Sequence, residues 1–338
     1  MGDIAYEKQN PNKLLKILIY GYGKTRKTSW LTEAVKTGRH LYYIDGDQGS
    51  LEVIMRMPAE LQSRIHVINC WDTWGGSNFQ KFVSKFIQGK PFIWNDTKRQ
   101  IEVNLGQGFN SEDAFWQINP RLVNADIIIG MDSWTRLIDS IVADYAEVNN
   151  IDLSSPHDLE SDRWTYFRHA GMIADFAVKQ FFAMPSNFVM IGHSTVYEKR
   201  KDDASGKQVV ESSRTQLISV TGNHAVKLPT LFGHVLQFKI DSMGNNKIDV
   251  RPLLNADGGS RSIKPGIYGY ADLSYAKICE MSYIPNIEDR GPSPAFIFYP
   301  PGELNNALAT AKDKAKPASG IIEAVKKPTL ASLGVKNA

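Results

Sequence analysis

The stretch "KILIYGYGKTRKTSW", Lys16 to Trp30, decides how the rest of the chain is read. Its first six residues are an apolar run closed by a glycine, the signal of a buried strand. "TSWLTEAVKTG" (28–38) has helical length and stops at Gly38, a plausible C-cap residue. The segment between them carries two Lys-Thr pairs, Lys24-Thr25 and Lys27-Thr28, with Arg26 standing between the pairs. Strand, glycine-bearing loop and helix in that order make an anion-binding concavity out of successive backbone N–H groups and a helix N-terminus.

The phosphate-loop template G-x-x-x-x-G-K-[ST] fits with Gly21 first and Lys27-Thr28 last. Only the second glycine fails, and Arg26 occupies its place. The other register, built on Gly23-Lys24-Thr25, needs its first glycine at Leu18, inside the strand. The nucleotide-binding residues are therefore read as Gly21, Tyr22, Gly23, Lys24, Thr25, Arg26, Lys27, Thr28 and Ser29. Lys27 is expected to reach the β- and γ-phosphates of ATP, and the Thr28 hydroxyl to ligate Mg²⁺. The Arg26 side chain has to point away from the phosphates' closest approach. It has three outlets: a phosphate further out, a neighbouring subunit, or solvent. The alternative for the whole stretch is a basic surface loop that binds nothing.

Three more strand ends supply polar groups. "ADIIIGMDS" (125–133) offers Asp132 as the carboxylate that holds Mg²⁺ through water; capping of the following helix is the competing role. "YYIDGDQGS" (42–50) offers Asp45 and Asp47, of which Asp47 is the expected base for the attacking water. Either aspartate also suits a turn. "NFVMIGHS" ends in His193, at the carboxyl end of a strand, where a polar side chain falls in the ligand crevice of an α/β sheet. His193 is read as a γ-phosphate sensor or as a structural histidine.

Strands alternating with helices predict an α/β fold, a mainly parallel sheet covered on both faces. Residues 1–13 form a polar arm. "NFQKFVSKFIQG" (78–89) has helical spacing, and "PFIWNDTKRQIEVN" (91–104) reads as a hairpin within an insertion at about 71–120. Trp71, Trp74, Trp94 and Trp116 cluster there, as core or subunit contact rather than as base-stacking platforms. "WTRLIDSIVADYAEV" and "RWTYFRHAGMIADFAVKQFFAM" (163–184) are helical, whereas 194–216 is polar and expected to be a mobile loop. "VLQFKID" (235–241) and "NKIDVRPLL" (246–254) resemble an antiparallel pair. Residues 286–338 are rich in Pro, Ala and Lys and are expected to be a largely disordered tail.

Hydrophobic residues make up 42% of the chain and charged residues 22%, ordinary values for a globular protein. The net charge is +3, and residues 311–338 alone carry six lysines against two acidic residues. The basic excess therefore belongs to the tail. Two distant cysteines, Cys70 and Cys279, exclude a Cys-based zinc motif and suggest no disulfide framework. No apolar run approaches the ~18 residues of a membrane span. The N-terminus carries no signal-peptide pattern, and a cytoplasmic location is expected.

Taken together these elements resemble the RecA-like ATPase superfamily. They are most similar to phage-encoded RecA-like nucleotide-binding proteins associated with single-strand annealing and recombination. The resemblance spans 14–285 and is carried by "ILIYGYGKTRKTSW", "YYIDGDQGS", "IIIGMDSWTRL", "FVMIGHS" and "VKLPTLFGHVLQFKI". It implies a RecA-like P-loop core with C-terminal antiparallel strands, ATP with Mg²⁺, the catalytic carboxylate at Asp47 and the polar sensor at His193. It further implies a homo-oligomeric ring or filament in host cytoplasm, in which a basic residue from the next subunit completes the site. Arg251, Arg261 and Lys264 are the candidates for that finger. Single-stranded DNA would be touched by the 194–226 loop with Lys199, Arg200 and Lys201, and "PTLASLGV" (328–335) would offer a protein partner a short apolar patch. Arg26, an aspartate in place of the usual glutamate at 47, and the large insertion depart from the pattern. The expected function is ATP binding and hydrolysis on single-stranded DNA in phage recombination or replication. A nucleotide-gated assembly or structural protein with little hydrolysis is the alternative.

Overall fold

The computed structural model describes residues 14–73, 76–103, 108–152, 163–202, 208–217, 228–250, 252–253, 256–257, 259–260 and 262–313. The apolar runs become β1 (Lys16–Gly21), β2 (His40–Asp45), β3 (Ile65–Asn69), β7 (Ile127–Asp132) and β10 (His234–Ile240) of one large sheet, together with β8 (Asn187–Asp202). These six strands lie in the order β3-β2-β7-β8-β1-β10, each parallel to its neighbours. β11 (Asn246–Asp249) continues the sheet antiparallel to β10, and Ile267–Gly269 pairs antiparallel with β11 at the edge.

Parallel strands covered on both faces bury every residue, which is why they read as continuous apolar runs. Alternate side chains feed two cores. Leu18, Tyr20, Tyr42, Ile44, Ile129 and Met131 pack on one side with the helices Asn78–Ile87, Trp134–Asn149 and Arg163–Ala183. Ile17, Ile19, Leu41, Tyr43 and Ile128 pack on the other with Trp30, Leu31 and the helix Tyr275–Met281. Lys16 ties strand to helix: its ammonium donates to the carbonyls of Phe181, Met184 and Ser186 at 2.8–3.0 Å, at the C-terminal end of the long helix, where a cation is favoured.

Strand register sets the site. Gly21 lies opposite His193 on one side and Phe238 on the other, while Asp132 lies opposite Ile191 and Asp45. The carboxyl ends of β1, β8, β7 and β2 therefore share one rim. From β1 the chain travels toward β2, whereas from β8 it crosses β1 to reach β10, so β1 stands at the topological switch point.

Four expectations need correction or refinement. The described parts of the 194–216 segment form a two-stranded ribbon, because β8 runs on to Asp202 and pairs antiparallel with β9 (Gln208–Leu217). Lys199, Arg200 and Lys201 are strand residues in register with Ser212, Val210 and Val209, with an irregularity between Lys199 and Arg200. The segment after 286 is structured as far as 313. Phe296–Tyr299 pairs with β6 (Phe115–Ile118), and Glu303–Asp313 is a helix. A hydrogen bond between Asp289 and His40, with ion pairs of Asp289 with Arg64 and of Arg290 with Asp126, pins the approach to that strand. The insertion holds the hairpin β4 (Phe92–Asn95) and β5 (Gln100–Ile101), and β4 joins β6 to make a four-stranded antiparallel sheet with Phe296–Tyr299. Trp94 and Trp116 are buried in that region's core, as expected. The helix expected over 28–38 is α-helical only at Lys27–Thr32 and continues as a 3₁₀ turn, Glu33–Thr37, that ends on Gly38 at φ 86°.

Residues 1–13, Trp74, Arg251, Arg261 and the "PTLASLGV" stretch lie outside the described residues. Lys264 is exposed. Among the described residues no helix is long and apolar enough to cross a membrane.

Candidate nucleotide site

The loop after β1 folds around the Lys27 ammonium. Its Nζ donates to the Gly21 carbonyl at 3.0 Å and the Tyr22 carbonyl at 2.7 Å. Thr25, also buried, donates its hydroxyl to the Tyr22 carbonyl at 2.8 Å, which tightens the same turn. Gly21 is obligatory for a packing reason: a Cβ there would collide with the Phe238 carbonyl of β10. Tyr22, Gly23 and Lys24 form the exposed crest of the loop, and Ser29 is half-buried in the first turn of the helix. Burial pulls the Lys27 pKa down to about 8, against the attraction of Asp132 and Asp47. It remains an ammonium at neutral pH.

Arg26 adopts the left-handed conformation, φ 65° and ψ 25°, that the missing glycine would have taken without strain. Its guanidinium carbon lies 4.4 Å from the centre of the Tyr270 ring. The arginine is thus directed sideways, onto an aromatic face. A non-glycine residue in this conformation costs roughly 1–2 kcal/mol, and an exposed cation–π contact returns about 0.5–1 kcal/mol. Arg26→Gly is therefore expected to change stability by less than about 1 kcal/mol and ATP affinity by less than about threefold. Thermal melting and calorimetric titration check both. A large loss of affinity would show that Arg26 leaves Tyr270 to hold phosphate.

Asp132 closes β7 beside the first turn of the helix that carries Thr28. Its Oδ2 accepts from the Thr28 hydroxyl at 3.1 Å and from the Tyr43 hydroxyl of β2. The helix cap is a different residue, since Ser133 Oγ accepts from the Arg136 N–H. Asp132 is buried, and desolvation, with Asp47 and Asp45 nearby, raises its pKa to about 6 despite the bonds from Tyr43 and Thr28. A buried carboxylate beside a hydroxyl suits a hard cation with oxygen ligands. Among the described residues no group of three or more His, Cys, Asp or Glu could enclose a metal. A magnesium ion that takes only one or two protein ligands does not require such a group, so Thr28 and Asp132 fit it.

The two acidic candidates at the end of β2 separate cleanly. Asp45 is the turn residue: its carboxylate accepts from the N–H groups of Asp47 and Gln48 at 3.0 and 2.9 Å, and from the Ser50 hydroxyl. Asp47 faces the rim. Its Oδ2 lies 3.1 Å from His193 Nε2, and its Oδ1 accepts from Arg136 Nε at 2.7 Å. Burial would raise its pKa, but the bonds from His193 and Arg136 outweigh that and hold it at about 2. His193 therefore touches the residue read as the base, at the point where β8 leaves the sheet for the ribbon.

Lys27, Thr28, Asp132, Asp47 and His193 thus stand at one rim, four of them linked through hydrogen bonds in two pairs, Thr28 with Asp132 and Asp47 with His193. Sequence reasoning missed Arg136, Tyr43 and Tyr270. Arg136 did leave a signal: a cation in the first turn of a helix opposes the macrodipole and calls for a carboxylate partner. No family model matches this chain, and no curated protein matches it.

Proposed function

We propose that the chain binds ATP with Mg²⁺ in the β1 loop and hydrolyses it, as a RecA-like protein acting on single-stranded DNA in phage recombination or replication. The observation that carries the nucleotide part is the 3.1 Å contact between the Thr28 hydroxyl and the Asp132 carboxylate, one residue beyond a lysine wrapped by the loop. The order of the strands and the position of β1 at the switch point support the RecA-like reading.

In this account Lys27 exchanges the Gly21 and Tyr22 carbonyls for phosphate oxygens. Thr28 and Asp132 would hold the magnesium ion, which supplies charge neutralisation at the phosphates. Asp47 orients the attacking water and accepts its hydrogen bond. His193 fixes the second oxygen of Asp47 and ties it to the base of the β8–β9 ribbon, whose Lys199, Arg200 and Lys201 we assign to DNA. Assembly as a homo-oligomer would supply the missing basic finger.

The alternative, a nucleotide-gated assembly protein with little turnover, is favoured by one observation: Asp47 is held at about 2 by two partners, which makes it a weak base. Turnover with and without single-stranded DNA separates the readings. We expect DNA-stimulated hydrolysis that Asp47→Asn lowers by about 10²–10⁴-fold while ATP affinity is kept. Tight binding with no turnover in either protein would select the alternative.

A further inference from the structure

Arg136 stands where a cation is least favoured. It is the third residue of the helix Trp134–Asn149, in the turn whose free N–H groups already present positive charge. Two carboxylates answer it. Its Nε lies 2.7 Å from Asp47 Oδ1, and its Nη1 lies 3.6 Å from Asp139 Oδ2. The arginine side chain is 58% exposed and the Asp47 side chain 19% exposed. The guanidinium therefore closes the solvent side of a carboxylate and contributes little to the core. His193 holds the other oxygen, so Asp47 is gripped from two elements, the end of β8 and the helix that follows β7.

The geometry points to Arg136 as a positioning residue that restrains Asp47, so that water activation waits until the guanidinium lets go. This rests on the assignment of Asp47 to the attacking water. The grip fixes the carboxylate's rotation and, as a charge-assisted bond, makes it a poorer acceptor for water. The release has a natural trigger. A triphosphate brings several negative charges to the same rim, and a planar guanidinium prefers phosphate oxygens that it can bind in a fork. Arg136 is long and exposed enough to exchange one anion for the other, so in the nucleotide complex it divides its time between Asp47 and phosphate. The chain would then carry its own brake, set from the same helix whose start follows the metal carboxylate.

The test uses the full chain with Arg136→Gln and Arg136→Lys. A non-hydrolysable ATP analogue measures binding, ATP measures turnover, and NMR of ¹⁵N-arginine protein follows the Nε–H of Arg136. Turnover at saturating ATP without DNA should rise severalfold in Arg136→Gln, as Brønsted behaviour gives for a base returned toward the ordinary carboxylate range, while KM rises with the lost phosphate contact. Arg136→Lys, which keeps a charge and loses the fork, should fall between. In the unsubstituted chain the Nε–H resonance should be protected from exchange, and that protection should fall with the analogue bound and vanish in Asp47→Asn. Turnover in Arg136→Gln equal to or below that of the unsubstituted chain, with analogue binding intact, overturns the restraint. So does an Nε–H that ignores both the analogue and Asp47→Asn. If the unsubstituted chain fails to bind the analogue, the nucleotide reading itself falls and the restraint with it. That outcome is distinguished by the binding arm alone.

Discussion

Asp132→Asn should make the nucleotide-free protein more stable and its magnesium-dependent ATP binding weaker. Asp132 is 4% exposed and its pKa is raised to about 6, with burial as the main cause. The sign follows from linkage. Between about pH 4 and pH 6 the folded chain holds this proton more tightly than the unfolded chain, so the contribution favours folding at low pH and is lost as pH rises through about 6. At neutral pH the ionised carboxylate is a net cost of up to roughly 3 kcal/mol. Asparagine removes that cost and keeps one oxygen for Tyr43 or Thr28. We expect a gain of about 1–2 kcal/mol, a few degrees in melting temperature at pH 7.5, shrinking steadily as the measurement is repeated toward pH 4. ATP affinity in the presence of Mg²⁺ should fall at least about tenfold, and its dependence on Mg²⁺ should flatten. Lower stability in Asp132→Asn at every pH would mean that the carboxylate serves the fold.

Lys27→Met should abolish tight nucleotide binding with little effect on folding. The ammonium is buried and its pKa is pulled down to about 8, so below that pH its charge is carried at a cost that fades as pH rises toward the ordinary lysine range. Methionine keeps the stem and removes that cost. Against it, the carbonyls of Gly21 and Tyr22 lose their donor, roughly 1–3 kcal/mol for each that water fails to reach, and Asp132 loses a compensating cation. The opposing effects are of similar size, and the net change should stay within about 1–2 kcal/mol. The phosphate contact has no such offset. Losing a charge-assisted bond to the triphosphate should weaken ATP about a hundredfold. Calorimetric affinity beside a melting curve checks the dissociation, and unchanged affinity would place the triphosphate elsewhere.

Legibility in the sequence followed one-dimensional signals. β1, β2, β7 and the start of β8 were readable because strands buried on both faces are unbroken apolar runs that stop at glycine or aspartate. Thr28 could be named from the phosphate-loop spacing that starts at Gly21, and Asp132 because it is the first charged group after such a run. The β8–β9 ribbon gave no such signal. Its sequence, "STVYEKRKD" facing "QVVESSRTQL", lacks a run of alternating apolar residues on which a half-buried strand is recognised. "FIFY" (296–299) was hidden by the prolines around it, and its partner β6 lies far away in the insertion. Asp45 and Asp47 could be ranked but not separated, since their roles depend on which carboxylate the 47–50 turn consumes. Arg136 meets Asp47 across 89 positions of sequence, a pairing that only the adjacency of β2 and β7 creates.

The most direct measurement is the anomalous signal of Mn²⁺ in crystals grown with a non-hydrolysable ATP analogue. One manganese is expected within about 2.2 Å of Thr28 Oγ1, reached by the Asp132 carboxylate through water, with the γ-phosphate against Lys27 and Arg26 still over Tyr270. A metal and triphosphate bound away from Thr28, or Arg26 swung into the loop where the phosphates should lie, would contradict it.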